Sequence, residues 1–192
     1  MKRDIILAGV GGQGILSIAA VIGMAAVKSG LHLKQAEVHG MSQRGGAVQS
    51  HVRISKQPIA SDLIPEGKCD MILSVEPMEA LRYLPYLSAD GWVITSSKTF
   101  ENISDYPQDK ALYKEIRNVK NHMIVDAADI AKKLGSQKVT NMVMLGAASG
   151  QLGLTTESLY RALHALFGRK GDEVVQLNIS ALQAGRDAVD SK

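Results

Sequence analysis

The run Asp4-Ile5-Ile6-Leu7-Ala8-Gly9-Val10-Gly11-Gly12-Gln13-Gly14, followed at once by Ile15-Leu16-Ser17-Ile18-Ala19-Ala20, constrains this chain more than any other segment. It predicts a short buried strand, a glycine-rich turn and an apolar helix. Gly9, Gly11 and Gly14 fit G-x-G-x-x-G in the strand–turn–helix setting where that spacing has physical meaning. Glycine lets the backbone turn sharply and lets a ligand approach main-chain N–H groups. The helix N-terminus behind the turn offers free N–H donors and the positive end of the dipole, so it favours anions. The turn Gly9, Gly11, Gly12, Gln13, Gly14 is therefore a candidate phosphate or cofactor-binding element. The alternative is a tight turn required only for packing the helix on the sheet.

Strand and helix signals alternate behind it. Residues 4–9 read as a strand apolar through its middle, as in a parallel sheet buried on both faces. Residues 12–29 read as a helix closed by Ser29-Gly30. A second strand is predicted over 31–38, then the polar, glycine-bearing loop His39–Gly46. Residues 47–55 alternate, with Val48, Ser50, Val52 and Ile54 on one face and Gln49, His51 and Arg53 on the other. That pattern predicts a half-exposed strand, antiparallel at an edge. Further strands are predicted over 71–75, over 92–96 after an Asp90-Gly91 turn, and over 122–126. Helices are predicted from Pro77 to about Leu87, over 109–117, and over 127–134 up to Gly135. The last third reads as helical, over 139–152, from a Thr155 cap to Phe167, and from Asp172 to about Val189. The expectation is an α/β chain, a Rossmann-like three-layer domain spanning 1–192 with a mainly parallel sheet and a helical C-terminal third.

Composition narrows the function classes. A net charge of +3 with no run of lysine or arginine gives no basic stripe for nucleic acid. The longest apolar stretch, Ile15–Val27, is broken by Ser17 and Gly23 and is too short to span a bilayer. Met1-Lys2-Arg3-Asp4 leads straight into a strand without a signal-peptide pattern, so a cytoplasmic protein is expected. Cys69 is the only cysteine, which excludes an intrachain disulfide and a cysteine-ligated iron–sulfur cluster held by this chain alone. No metal site and no catalytic residue is assigned. Cys69 lacks a Cys–His–acid arrangement and reads as structural.

The second candidate element is His39, Ser42, Gln43, Arg44, Gly45 and Gly46. An arginine flanked by glycines can present its fork to a carboxylate or phosphate. In an open parallel sheet the loop lies at the carboxyl edge of strand two, where ligands gather. Glu37 stands 23 positions after Gly14, where dinucleotide-binding proteins often carry a ribose-binding acid. Glu76, beside Pro77, is either a site acid or a helix N-terminal acid. Asn141 either caps a helix or bonds to a loop. Met142 and Met144 read as core or interface filler.

Gly9-Val10-Gly11-Gly12-Gln13-Gly14 together with Glu37-Val38-His39-Gly40-Met41-Ser42-Gln43-Arg44-Gly45-Gly46 resembles the gamma-type domain of 2-oxoacid:ferredoxin oxidoreductases. The His39–Gly46 variant is most similar to the small beta subunits of the indolepyruvate ferredoxin oxidoreductase branch. The resemblance continues through Ala47–Ile54, Lys138-Val139-Thr140-Asn141-Met142 and Asn178–Gly185. It implies a heteromer that decarboxylates aryl pyruvates oxidatively to aryl-acetyl-CoA and passes electrons to ferredoxin. It also implies a large alpha subunit holding thiamine diphosphate, Mg2+ and 4Fe-4S clusters, with CoA as co-substrate. This chain would bear no cofactor of its own and be inactive alone. Gly171-Asp172-Glu173 lacks the following glycine of a thiamine-diphosphate motif. The isolated chain could also form a homodimer. Two other readings remain open on the residues: a stand-alone dinucleotide- or nucleotide-binding protein, and a small-molecule-binding regulator.

Overall fold

The computed structural model describes residues 1–39 and 45–190. Among these residues six strands form one sheet: β1 (Lys2–Val10), β2 (His32–His39), β3 (Ala47–Ser55), β4 (Cys69–Ser74), β5 (Leu87–Ser96) and β6 (Asn121–Val125), in the order β2-β3-β1-β4-β5-β6. β1, β4, β5 and β6 run parallel, and β3 is antiparallel to both β1 and β2. The α-helices of the described residues flank the sheet: α1 (Ile15–Lys28), α2 (Pro77–Arg82), α3 (Asp109–Asn118), α4 (Ala127–Lys133), α5 (Thr140–Ala148), α6 (Thr156–Phe167) and α7 (Asp172–Asp190). Ile5, Leu7, Met71, Leu73 and Ile94 meet α1, α4, α5, α6 and α7 in the larger core. Ile6, Ala8, Ile72 and Val93 face Ala80 of α2 and Ile116 of α3 in the smaller one. The result is the three-layer α/β arrangement expected, with a helical last third.

The layer of α5 and α7 is unusually close. A Cβ at Gly146 would overlap the Leu182 carbonyl, and a Cβ at Gly185 would overlap that of Val143. Two reciprocal glycines thus let the helix backbones touch. Met142 and Met144 are fully buried in this layer. Among the described residues no helix is long and apolar enough to cross a membrane.

Several boundaries differ from expectation, each for a local reason. α1 starts at Ile15 rather than at residue 12, because Gly12 and Gly14 have φ of +98° and +80°. α2 stops at Arg82, and Leu84–Tyr86 continues as a 3-10 turn. Pro85 has no N–H and cannot extend the helix. Asp90-Gly91 lies inside β5, at a register shift opposite Cys69/Met71. A Cβ at Gly91 would sit 2.8 Å from the Cys69 carbonyl oxygen, so the glycine serves close strand approach. α5 ends at Ala148, with Ser149–Gln151 as a 3-10 turn.

β3 departs most. It spans 47–55 as predicted, yet it lies between β2 and β1 instead of at an edge. Its polar face is covered: His51 is 4% exposed, and its Nδ1 accepts the Ile64 N–H at 3.0 Å. Arg53 donates Nε to Asp4 Oδ1 at 2.7 Å and Nη2 to Oδ2 at 3.0 Å, and its Nη1 reaches the carbonyls of Ser61 and Leu63. The connection from β3 to β4 is thus strapped over the face that alternation alone marks as solvated.

Candidate functional site

The glycine turn is built by its own side chain. Gln13 N–H donates to the Val10 carbonyl at 3.1 Å, and Gln13 Oε1 accepts the Val10 N–H at 2.8 Å. Gly9 lies beneath this ring, where a Cβ would come within 2.8 Å of Gln13 Oε1 and Ile15 Cδ1. Gly14 is the N-cap of α1, left-handed and without a side-chain cap, and the first turn of α1 carries no acid. Asn141, 8% exposed at the start of α5, donates Nδ2 to the Gly14 carbonyl at 3.2 Å.

Gly11 N–H donates to the Gly46 carbonyl at 2.9 Å. This bond joins the two sequence-predicted elements: Gly46, just before β3, reaches the turn after β1 because Val10 pairs with Ala47. Asn102 Nδ2 donates to the Gly45 carbonyl at 2.9 Å from the β5–α3 connection. Gly45 has φ of +80°. Ser42, Gln43 and Arg44 lie outside the described residues, as do Gly40 and Met41.

These bonds sort the main-chain donors expected to bind a ligand. Those of Gly11 and Gln13 are used internally. No described group accepts from Gly12 or Gly14, and Gly12 is exposed. They border a cleft of about 320 Å³ lined also by Val75, Ser96, Lys98, Ala128, Gln137, Lys138, Thr140 and Asn141. The N-terminus of α5 opens there as well, without a side-chain cap. The N-termini of α1 and α5, the turn at Gly12–Gly14, Lys98 and Lys138 thus border one cleft at the carboxyl edge of the parallel strands, a setting whose charge favours an anion. Among the described residues the cleft lining contains no carboxylate. Among the described residues no group of three His, Cys, Asp or Glu could hold a metal ion. This donor set suits a phosphate or carboxylate.

The remaining sequence candidates resolve as structure. Glu76 is fully buried and caps α2, accepting the Glu79 N–H at 2.8 Å, the Phe100 N–H at 3.4 Å and the Tyr106 hydroxyl. Burial raises its pKa, and these donors oppose the rise. It fastens the segment that carries Lys98 and Asn102. Cys69 lies fully buried in β4, where burial pushes its thiol up to about 12, so it stays protonated and unreactive. Glu37 sits on β2, across from Ser50 of β3. With β3 interposed, it stands two strand spacings, about 10 Å, from β1 rather than beside it as the ribose-binding acid of a dinucleotide fold does. Lys98 and Ser96 went unseen in the sequence. The available signal was their place at and just beyond the carboxyl end of a parallel strand, the edge where ligands bind.

A family model described as "Pyruvate ferredoxin/flavodoxin oxidoreductase" matches residues 4–188. The indolepyruvate oxidoreductase subunit IorB of Archaeoglobus fulgidus is 37% identical over 96% of this chain and 94% of its own length. The same-named subunit of Thermococcus kodakarensis is 36% identical over 96% and 94%. The gamma subunit of a keto/oxoacid ferredoxin oxidoreductase from Geobacter sulfurreducens shares the fold, with a TM-score of 0.70 and 24% identity over 99% of both chains. A 2-oxoglutarate:ferredoxin oxidoreductase from Magnetococcus marinus, solved with 2-oxoglutarate, coenzyme A and succinyl-CoA bound, aligns with a TM-score of 0.78 and 20% identity over all of this chain. The alignment spans 31% of that larger chain.

Proposed function

The chain belongs to the pyruvate ferredoxin/flavodoxin oxidoreductase family, and on that premise we propose that it is the small subunit of a cytoplasmic indolepyruvate:ferredoxin oxidoreductase. In this reading a large alpha subunit carries thiamine diphosphate, Mg2+ and the 4Fe-4S clusters. The assembled enzyme converts aryl 2-oxoacids to aryl-acetyl-CoA and delivers electrons to ferredoxin. The isolated chain is inactive. The observation that carries the proposal is the anion-receptive cleft between the turn at Gly12–Gly14 and Lys98 and Lys138.

Thiamine diphosphate, when bound on the partner, supplies the carbanion chemistry of decarboxylation. This chain's residues complete the site around it. Lys98, Lys138 and the amides of Gly12 and Gly14 take a phosphate of CoA or the oxoacid carboxylate and hold it in one orientation. The charge-assisted bonds involved are worth about 1.5–3 kcal/mol each when shielded from water. Ser42, Gln43 and Arg44, in the sequence segment that ends at Gly46, supply further binding groups for substrate or partner. Asn141 and Gln13 act on the shape of the turn.

Co-expression with the large subunit tests this. The two chains copurify, and indolepyruvate- and CoA-dependent dye reduction appears only with both. Arg44→Ala lowers activity or partner affinity in that complex; if both stay unchanged, Arg44 has no part in the site. A small chain that does not bind the large one and carries a bound nucleotide instead contradicts the subunit reading.

A further inference from the structure

Just past the end of β4 stands a carboxylate that a helix cap alone does not require. Glu76 Oε2 accepts the Glu79 N–H at 2.8 Å and so caps α2. Ser, Thr, Asp and Asn do that with a shorter side chain and are the residues favoured for it. Glu76 is fully buried, where a charge is costly unless donors surround it. Its second oxygen, Oε1, takes its donors from a different segment, the connection from β5 to α3. There it accepts the Phe100 N–H at 3.4 Å and the Tyr106 hydroxyl.

The same segment brings Lys98 to the anion-receptive cleft. Up to Lys98 the backbone is held by the sheet. Ser97 N–H donates to the Val125 carbonyl at 2.8 Å, and Lys98 N–H donates to Ser96 Oγ at 3.1 Å. Two residues past Lys98 the hold is Glu76. Lys98 thus stands between two anchors, the strand behind it and the buried carboxylate ahead. Asn102, between the two contacts to Glu76, ties the segment to the Gly45 carbonyl as well. Lys138, the other ammonium group of the cleft, stands on a different element, with its N–H on Ser136 Oγ at 3.3 Å.

On the reading of the cleft as an anion site, we propose that Glu76 is a positioning residue for it: by gripping Phe100 and Tyr106 it fixes the path of the chain at Lys98 and places that ammonium group against the bound anion. Glu76 does not touch the anion. An ammonium group on a fixed backbone has less freedom to lose on binding than one on a loose connection, so the grip is felt as affinity. Loosening it leaves the charge of Lys98 in the chain and removes its preorganisation.

Tyr106→Phe tests this, because it deletes one donor to Oε1 and leaves the α2 cap and the aromatic ring in place. Binding of inorganic pyrophosphate to the full chain is measured by isothermal titration for wild type, Y106F, and Y106F combined with Lys98→Ala or with Lys138→Ala. Y106F binds several-fold more weakly than wild type. The same loss recurs in the K138A chain and mostly disappears in the K98A chain, which has no ammonium group left to misplace. Glu76→Gln, with one acceptor oxygen for three donors, follows the same pattern with a larger loss. Equal affinity of Y106F and wild type overturns the inference and leaves the cleft reading standing. So does an equal loss in the K98A and K138A chains, the result expected if Tyr106 serves stability alone. A wild-type chain that binds no pyrophosphate overturns the cleft reading, and the inference falls with it.

Discussion

Asn141 Nδ2 donates to the Gly14 carbonyl oxygen at 3.2 Å, tying the first residue pair of α5 to the left-handed cap of α1 across 127 positions. The cap and its clamp form one fitted unit: a Cβ at Gly14 would overlap the Asn141 amide.

Gly14→Ala therefore destabilises the fold twice, by backbone strain of about 1–2 kcal/mol at φ of +80° and by collision with Asn141. Adding Asn141→Ala removes the collision and recovers part of the loss, leaving the strain. Urea midpoints of the two single variants and the double variant measure this coupling. Strict additivity would mean that the two residues do not touch.

Arg53→Leu strands the fully buried Asp4 carboxylate, whose remaining cation is Lys2, 57% exposed. Leaving a buried charge without its main partner costs about 3–5 kcal/mol. Asp4→Asn in the same chain restores part of that. Burial disfavours the Asp4 charge, but hydrogen bonds from Arg53 and Lys2 outweigh it and hold the pKa below its ordinary value. Stability from this pair is present above the unfolded pKa and is lost as pH falls through the lower folded one. In R53L that acid dependence flattens or reverses.

His51 adds a second pH dependence at milder acidity. Burial, helped by the Arg53 charge and opposed by Asp62, lowers its pKa below 6.5. The neutral ring is the form whose Nδ1 accepts from Ile64. The unfolded chain binds this proton first, so stability is full above about pH 6.5 and declines as pH falls toward the folded pKa. Chemical denaturation at pH 7.5 and 5.5 reads the decline. His51→Gln, which keeps an acceptor and loses the titration, removes most of it.

The sequence showed the elements far better than their neighbours. The alternation of Val48, Val52 and Ile54 marked β3 to the residue. It also marked the wrong environment, because Gln49, His51 and Arg53 read as solvent-facing. Their burial depends on Asp4, Ile64, Ser61 and Leu63, partners that no local pattern reveals. The glycine turn was legible because positive φ and close approach demand glycine. Which amides remain available was not, since Gly11, after β1, is taken by Gly46, before β3. Lys98 and Lys138, 40 positions apart, come together only through the order of the strands.

Lys98→Ala combined with Lys138→Ala weakens binding of inorganic pyrophosphate to the chain at least tenfold, about 1.4 kcal/mol, and flattens its salt dependence. Isothermal titration at two ionic strengths measures both. Unchanged affinity would remove the two ammonium groups from the site.

The most direct measurement is reconstitution. The purified chain is titrated into the purified large subunit while indolepyruvate-dependent dye reduction is followed at several CoA concentrations. Negligible rate from either chain alone, saturation at a fixed mole ratio and a raised KM for CoA with the Lys98→Ala/Lys138→Ala chain are the expected results. Full activity from the large subunit alone, or a rate indifferent to added small chain, would contradict the subunit reading.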